Sequence, residues 1–186
     1  MWQDIKNIYH LFLAILANFW YGFPSKKLVV IGVTGTDGKT TTVNLIYHIL
    51  KDSGKDVSMI CTNGAVINGK TFDVGDHVTT PSSFMTQRFM KEASEELVHE
   101  KVPYGQYLVL EVTSHALDQY RDWGINFEVG VLTNVTHEHL DYHKTYDSYL
   151  ETKIKLLKKA KTAVVNADDE SYKRINSKVK IYYLWD

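Results

Sequence analysis

Leu28-Val29-Val30-Ile31-Gly32-Val33, running into Thr34-Gly35-Thr36-Asp37-Gly38-Lys39-Thr40-Thr41, is the stretch on which the fold turns. An unbroken apolar run of this length is expected of a strand buried on both faces of a parallel sheet. A glycine-rich turn follows, and Lys-Thr then opens a helix, the arrangement that binds nucleotide phosphates. Glycines let backbone N–H groups point inward, the helix N-terminus adds the positive end of its dipole, and the lysine reaches the terminal phosphates. Thr40 stands where a hydroxyl would be offered to Mg²⁺. The generic spacing G-x-x-x-x-G-K-[ST] is missed by one residue: Val33 occupies the first glycine position and Gly32 comes one place early. The plain alternative is a turn that only joins strand to helix. Gly-Lys-Thr-Thr at the strand–helix junction favours the phosphate loop.

Outward from the loop, short β-branched runs alternate with helical stretches. Thr40 to Lys51 reads as a helix with Val43, Ile46, Tyr47 and Leu50 on one face, stopped by Gly54. Val57 to Cys61 reads as a strand, and 65–72 as a hairpin turning at Asn68-Gly69. Ser82 or Ser83 can cap a helix running to about Glu100. Strands are expected over 107–112, 129–133, 163–166 and 181–184, with a helix from about Tyr146 to Lys159. The expected fold class is α/β, P-loop NTPase-like: a mostly parallel sheet with helices on both faces, a small β-hairpin insertion and an apolar N-terminal helix.

The 186 residues allow one domain with a full core, or one domain and a short appendage. The expected division is 1–25 as helix and linker and 26–186 as the nucleotide-binding domain, incomplete at its C-terminus. Hydrophobic residues at 44% and charged residues at 23% exclude a disordered chain, and a net charge of -1 argues against nucleic acid as partner. A single cysteine, Cys61, excludes an internal disulfide and fits a cytoplasmic location. Ile8 to Phe23 is apolar and aromatic, without a basic lead-in or a cleavage site, and its 16 residues fall short of the roughly 20 of a spanning helix. It is open to three readings: a helix packed on the domain or on another chain, peripheral membrane contact through residues 5–23, or a span. Gly22-Phe23-Pro24-Ser25 would then act as a linker.

Three further segments occur in order. They are Thr79-Thr80-Pro81, then Glu111-Val112-Thr113-Ser114-His115-Ala116-Leu117 with Gln119 and Arg121, then Thr133-Asn134-Val135-Thr136-His137-Glu138-His139-Leu140-Asp141-Tyr142-His143 followed by Lys153. With the loop they resemble the Mur ligases and the related folylpolyglutamate synthases, and are closest to the UDP-N-acetylmuramoyl-dipeptide (E-type) ligases. The resemblance spans Val30 to about Asp169 and implies an ATP-dependent carboxylate–amine ligase of peptidoglycan precursor synthesis. Such an enzyme makes an acyl phosphate that an amino acid then attacks.

The resemblance also implies roles. Gly35, Thr36, Asp37, Gly38, Lys39, Thr40 and Thr41 would hold ATP. Lys39, Glu111, His139 and Lys153 would be catalytic, with Thr40, Glu111, His139 and a carbamylated Lys153 around Mg²⁺. Thr79, Thr80, Thr113, Gln119 and Arg121 would contact the UDP-muramoyl-peptide, Arg121 pairing a carboxylate. The bland readings are a solvated strand-end carboxylate for Glu111, one more surface lysine for Lys153, a polar turn for Thr79 and Thr80, and a solvated helix face for Gln119 and Arg121. On spacing alone His137, Glu138, His139, Asp141 and His143 also suggest zinc, but they do not form H-E-x-x-H, and magnesium with nucleotide is the better account. His137 and His143 read as structural or exposed.

Three positions depart from the family pattern: Asp37 replaces asparagine, Glu138 replaces aspartate, and Ser82 stands where an acid is common. The family also carries a UDP-holding N-terminal domain and an amino-acid-binding C-terminal domain, so a truncated chain or minimal homologue is expected. Alternatives are a ligase for a lipid-linked muramoyl substrate, a non-catalytic ATP-binding subunit needing a partner chain, and a folylpolyglutamate synthase.

Overall fold

In the computed structural model, residues 2–75, 79–95, 106–138 and 140–176 are described. Seven strands form one sheet: β1 (Leu28–Thr34), β2 (Val57–Cys61), β3 (Gly64–Ile67), β4 (Lys70–Phe72), β5 (Gln106–Glu111), β6 (Phe127–Leu132) and β7 (Thr162–Val165). Their order across it is β4-β3-β2-β5-β1-β6-β7, and every pairing from β2 to β7 is parallel. The antiparallel β3–β4 hairpin turns at Asn68-Gly69, both at positive φ, as a two-residue turn between twisted strands requires. The expected strand over 181–184, and any helix beyond Glu95, lie outside the described residues.

The helices are α1 (Trp2–Tyr21), α2 (Lys39–Asp52), α3 (Ser83–Glu95), α4 (Ser114–Asp118), α5 (Leu140–His143), α6 (Tyr146–Lys159) and α7 (Tyr172–Asn176). α2 covers one face of the sheet, setting Val43, Ile46 and Leu50 on Val33, Cys61 and Val109. On the other face Val30, Ile60, Leu108 and Leu110 meet Phe89 and Met90 of α3, Leu117 of α4 and Leu156 of α6. Leu108, Val109 and Leu110 of β5 are consecutive and all buried, because both faces of this strand are covered.

Two glycines determine how α6 lies. Gly32 and Gly130 are register partners on β1 and β6. A Cβ on Gly32 would lie 2.7 Å from Phe127 and 2.9 Å from Leu156, and one on Gly130 would meet the Leu156 carbonyl at 3.3 Å. The early glycine that spoils the generic loop spacing is therefore a packing residue beneath α6. Its smallness seats α6 close to the sheet, and α6 carries Lys153.

α1 is longer than its apolar run and packs on α3. Residues 22–25 are not a loose linker. Gly22 and Phe23 take left-handed backbone, a short 3₁₀ turn covers Pro24–Lys27, and Pro24 and Ser25 are buried. The Ser25 hydroxyl donates to the Gly124 carbonyl (3.2 Å) and accepts from the Asn126 amide (3.2 Å), fastening the chain ahead of β1.

Candidate active site

The site lies at the carboxyl ends of β5, β1 and β6, where a doubly wound sheet leaves a crevice as its connections diverge to either side. Strand register places Glu111 beside Val33, and Thr133 donates its backbone N–H to the Thr34 carbonyl (3.0 Å). The phosphate loop is thus bordered by the ends of both neighbouring strands.

The loop's shape is held from β6. Thr36 N–H donates to the Asn134 carbonyl (3.0 Å) and Asp37 N–H to Asn134 Oδ1 (2.9 Å). The Asp37 carbonyl accepts from Thr133 Oγ1 (2.7 Å) and Asn134 Nδ2 (3.3 Å). Gly35, at φ 154°, passes so near Thr133 that an added Cβ would sit 1.8 Å from its Oγ1. Gly38, at φ 75°, caps α2, so the helix N-terminus begins at the loop with Lys39 and Thr40 in its first turn and Thr41 exposed beside them. The Asp37 side chain is exposed at the loop's rim. Thr133 and Asn134 stand in the third sequence segment, which by itself suggests no role for them. Their position at the end of a central strand was the available signal.

Glu111 is 1% exposed, so its bland reading as a solvated carboxylate fails. Its Oε2 accepts from Thr40 Oγ1 (2.9 Å), Thr62 N–H (3.0 Å) and Thr62 Oγ1 (3.1 Å). Its Oε1 accepts no hydrogen bond from the described residues, which leaves one carboxylate oxygen for a cation beside the Thr40 hydroxyl. Hard oxygen donors of this kind suit magnesium. Thr62, between β2 and β3, carries no motif and was not anticipated. The Lys39 ammonium folds back onto the Thr36 carbonyl (2.8 Å), within the loop whose phosphates it would meet.

Lys153 is 1% exposed, in contrast to the surface lysines 155, 158 and 159 around it. Its Nζ donates to the Gly35 carbonyl (2.5 Å) and lies 4.3 Å from the Tyr149 ring centroid. Burial first, and the Lys39 charge second, bring its pKa from 10.5 down to about 7, outweighing the opposite pull of Glu138 and Asp37. The unfolded chain therefore binds the extra proton between about pH 7 and 10.5. Folded stability rises with pH through that window, by at most about 1.4 kcal/mol per pH unit, and is lost as pH falls toward 7. Denaturant midpoints are expected to be higher at pH 9 than at pH 7, with Lys153→Met removing the Lys153 part of the difference.

Next to Glu111, Thr80 Oγ1 donates to the Glu111 carbonyl (3.2 Å) and accepts from the Thr113 N–H (3.1 Å), while Thr113 Oγ1 caps α4 through Ala116 N–H (3.1 Å). Thr79 is half-buried just before them. Arg121 is turned inward: its Nη2 donates to the Thr80 and Pro81 carbonyls, and burial lowers its pKa. In this structure it braces the Thr79-Thr80-Pro81 segment, a use that sequence could not show. Gln119 caps the C-terminus of α4, its N–H donating to the His115 carbonyl (2.9 Å), and beside it Asp118 Oδ2 accepts from the Tyr142 hydroxyl (3.0 Å), which itself accepts from Gln3 Nε2 of α1 (2.5 Å). Burial and the Asp118 bond push the Tyr142 pKa up to about 12. His143 is buried with Nε2 3.0 Å from Ser114 Oγ, and His137 is exposed and stacked on Tyr146. His139 lies outside the described residues. Among the described residues no cluster of three His, Cys, Asp or Glu side chains could hold a metal. A cavity of about 490 Å³ at the other end of the sheet, lined in part by Asp122, Trp123 and Lys159, contains none of the candidate residues.

The sequence model of the Mur ligase middle domain matches residues 33–183. A UDP-N-acetylmuramoyl-L-alanyl-D-glutamate–2,6-diaminopimelate ligase of Clostridium botulinum is 39% identical over 166 residues, 89% of this chain and 32% of that one. The chain thus spans about a third of the length of the curated relatives it matches. A solved structure of a ligase of the same name superposes with a TM-score of 0.65 at 28% identity, covering 81% of this chain and 29% of the other. The MurF ligase of Thermotoga maritima, solved in complex with ADP, shares the fold with a TM-score of 0.59 at 21% identity, covering 89% of this chain and 35% of the other.

Proposed function

The chain belongs to the Mur ligase family as its middle domain, and from that premise we propose that it is the ATP-binding part of an amide-bond ligase adding an amino acid to a UDP-muramoyl-dipeptide. The observation that carries this is Glu111: a buried carboxylate at a sheet's carboxyl end, wired to Thr40 of the phosphate loop and keeping one oxygen uncommitted. The ADP-bound MurF and the diaminopimelate ligase relatives support the nucleotide and the substrate class.

In this reading the loop amides of residues 35–40 and the α2 N-terminus take the ATP phosphates. Lys39 turns from the Thr36 carbonyl to the terminal phosphate. Thr40, Glu111, His139 and a carbamate on Lys153 are the groups that would hold magnesium. Magnesium, when bound, neutralises phosphate charge and polarises the transferred group. A substrate carboxylate attacks the γ-phosphorus, ADP leaves, and an acyl phosphate forms. An amine then attacks the acyl carbon, releasing phosphate and leaving the amide. The chain's task is positioning and charge stabilisation.

A lysine that is substantially neutral near pH 7 suits the carbamate role, since the free amine adds CO₂ and releases one proton. Thr79, Thr80, Thr113 and Gln119 would face the substrate, with Arg121 holding their segment or turning to a substrate carboxylate. The natural setting of these steps is the cytoplasm.

The test is phosphate release from ATP by the protein. Release is expected to require both UDP-muramoyl-dipeptide and an amino acid, with diaminopimelate and lysine the first candidates. Release that ignores both additions would refute the reading.

A further inference from the structure

α1 has an inverted outer face. A helix docked on a domain by one side ordinarily shows charge on the other. Here the inward side carries Ala14, Ala17 and Asn18, all fully buried, with Asn18 Nδ2 donating to the Trp123 carbonyl (2.7 Å). The polar Gln3 and Asn7 also turn inward, to Tyr142 and Asp118. The opposite side carries Ile5, Ile8, Tyr9, Phe12, Leu16, Phe19 and Trp20, between 41% and 79% exposed. Their spacing of three and four places them on one stripe, and no charged residue interrupts it. The stripe exposes on the order of several hundred Å², at or above the largest apolar patch of ordinary soluble monomers.

Two features identify what covers it. Four of the seven residues are aromatic, with Tyr9 and Trp20 of the amphipathic kind that favours membrane–water interfaces. The stripe's C-terminal end is also basic. Phe19 is edge-on to Phe23 (centroids 5.2 Å apart), the Lys26 ammonium lies 4.7 Å from the Phe23 ring centroid, and Lys27 follows, both lysines exposed. Exposed Lys6 adds a third positive charge against the single acid Asp4. A two-fold copy of this face would bring two rims of the same net sign together, whereas an anionic lipid surface complements both the apolar stripe and its rim. No helix among the described residues is long and apolar enough to cross a membrane, so the contact would be lateral.

We propose that the outer face of α1 is a membrane-docking surface, lying in the headgroup–acyl boundary of an anionic bilayer with Lys26 and Lys27 at the headgroups. This assignment does not rest on the ligase reading.

The test is co-sedimentation of the full chain with phosphatidylglycerol-containing vesicles and with pure phosphatidylcholine vesicles. Binding to the anionic vesicles is expected, weakening as salt is raised. Lys26→Glu with Lys27→Glu should lower the affinity by roughly 30-fold or more, two headgroup lysines each contributing about fivefold. Phe12→Glu with Phe19→Glu should abolish binding while leaving helix content and nucleotide binding unchanged. Trp20→Ser, a milder change, should weaken it measurably. The proposal is overturned if the wild-type chain ignores both vesicles, or if binding survives the Phe12/Phe19 double variant. It is equally overturned if the wild type ignores vesicles but forms a dimer that the same variants dissociate; the occupant is then a second copy.

Discussion

Gly35→Ala is expected to weaken ATP binding by at least about a hundredfold in a chain that still folds. Two independent costs meet at this residue. Its φ of 154° is one that side chains rarely adopt, and the new Cβ would fall 1.8 Å from Thr133 Oγ1. Relieving that overlap moves Thr133, and Thr133 Oγ1 is a donor to the Asp37 carbonyl that shapes the loop. A combined penalty of about 3 kcal/mol or more corresponds to a loss of at least about two orders of magnitude in affinity. Thr133→Ala in the same chain removes the nearest atom and should recover part of the loss. Calorimetric titration with ATP, with circular dichroism as the folding control, separates the outcomes. Full affinity in the single variant would mean that the loop backbone does not hold the phosphates.

Glu111→Gln is expected to reduce turnover by about 10³-fold, the scale of several kcal/mol of charge stabilisation in a site that excludes water. Glutamine keeps the volume and can still accept from Thr40 and Thr62, so the packing of β5 against β1 survives. What it loses is the charge that would face a cation. The apparent magnesium requirement should rise together with the fall in rate. If turnover falls with no change in magnesium dependence, Glu111 acts by holding Thr40 and Thr62 rather than by binding the metal.

The elements legible in sequence were those whose signals are local. The helix over Tyr146–Lys159 was read to its observed ends, its start fixed by the Thr145 cap on the Ser148 amide. The strand over Val57–Cys61 and the Asn68-Gly69 turn were read as they stand. α5 and α7 leave no trace in the sequence, since four or five residues are too few to display a helical period, and the helix expected to carry Gln119 and Arg121 is the short α4, which ends at Asp118. α1 extends from Trp2, ahead of the apolar run that starts at Ile8, because Gln3 and Asn7 find their partners on α5 and α4, about 140 and 110 residues along the chain. A periodicity argument assigns such polar residues to solvent.

At the candidate site, the ordered motifs point to the loop, Glu111 and Lys153, which the fold brings to neighbouring positions. The tertiary partners of those residues were not legible. Thr62 lies in a turn of its own, and its bonds to Glu111 exist only because β2 neighbours β5. The inward use of Arg121 depends on two backbone carbonyls 40 and 41 residues away. Burial of Lys153 depends on α6 lying close over Gly32 and Gly130, a matter of side-chain volume that the lysine-rich helix conceals.

In the proposed reaction the site activates a carboxylate as an acyl phosphate. Hydroxylamine supplied in place of the amino acid tests it most directly, because it captures that species without help from an amine-binding pocket. With ATP, magnesium and UDP-muramoyl-dipeptide, the protein should yield the muramoyl-peptide hydroxamate and one ADP per hydroxamate, and Lys39→Ala should yield neither. Formation of ADP without hydroxamate, at the same rate with and without the dipeptide substrate, would contradict the account.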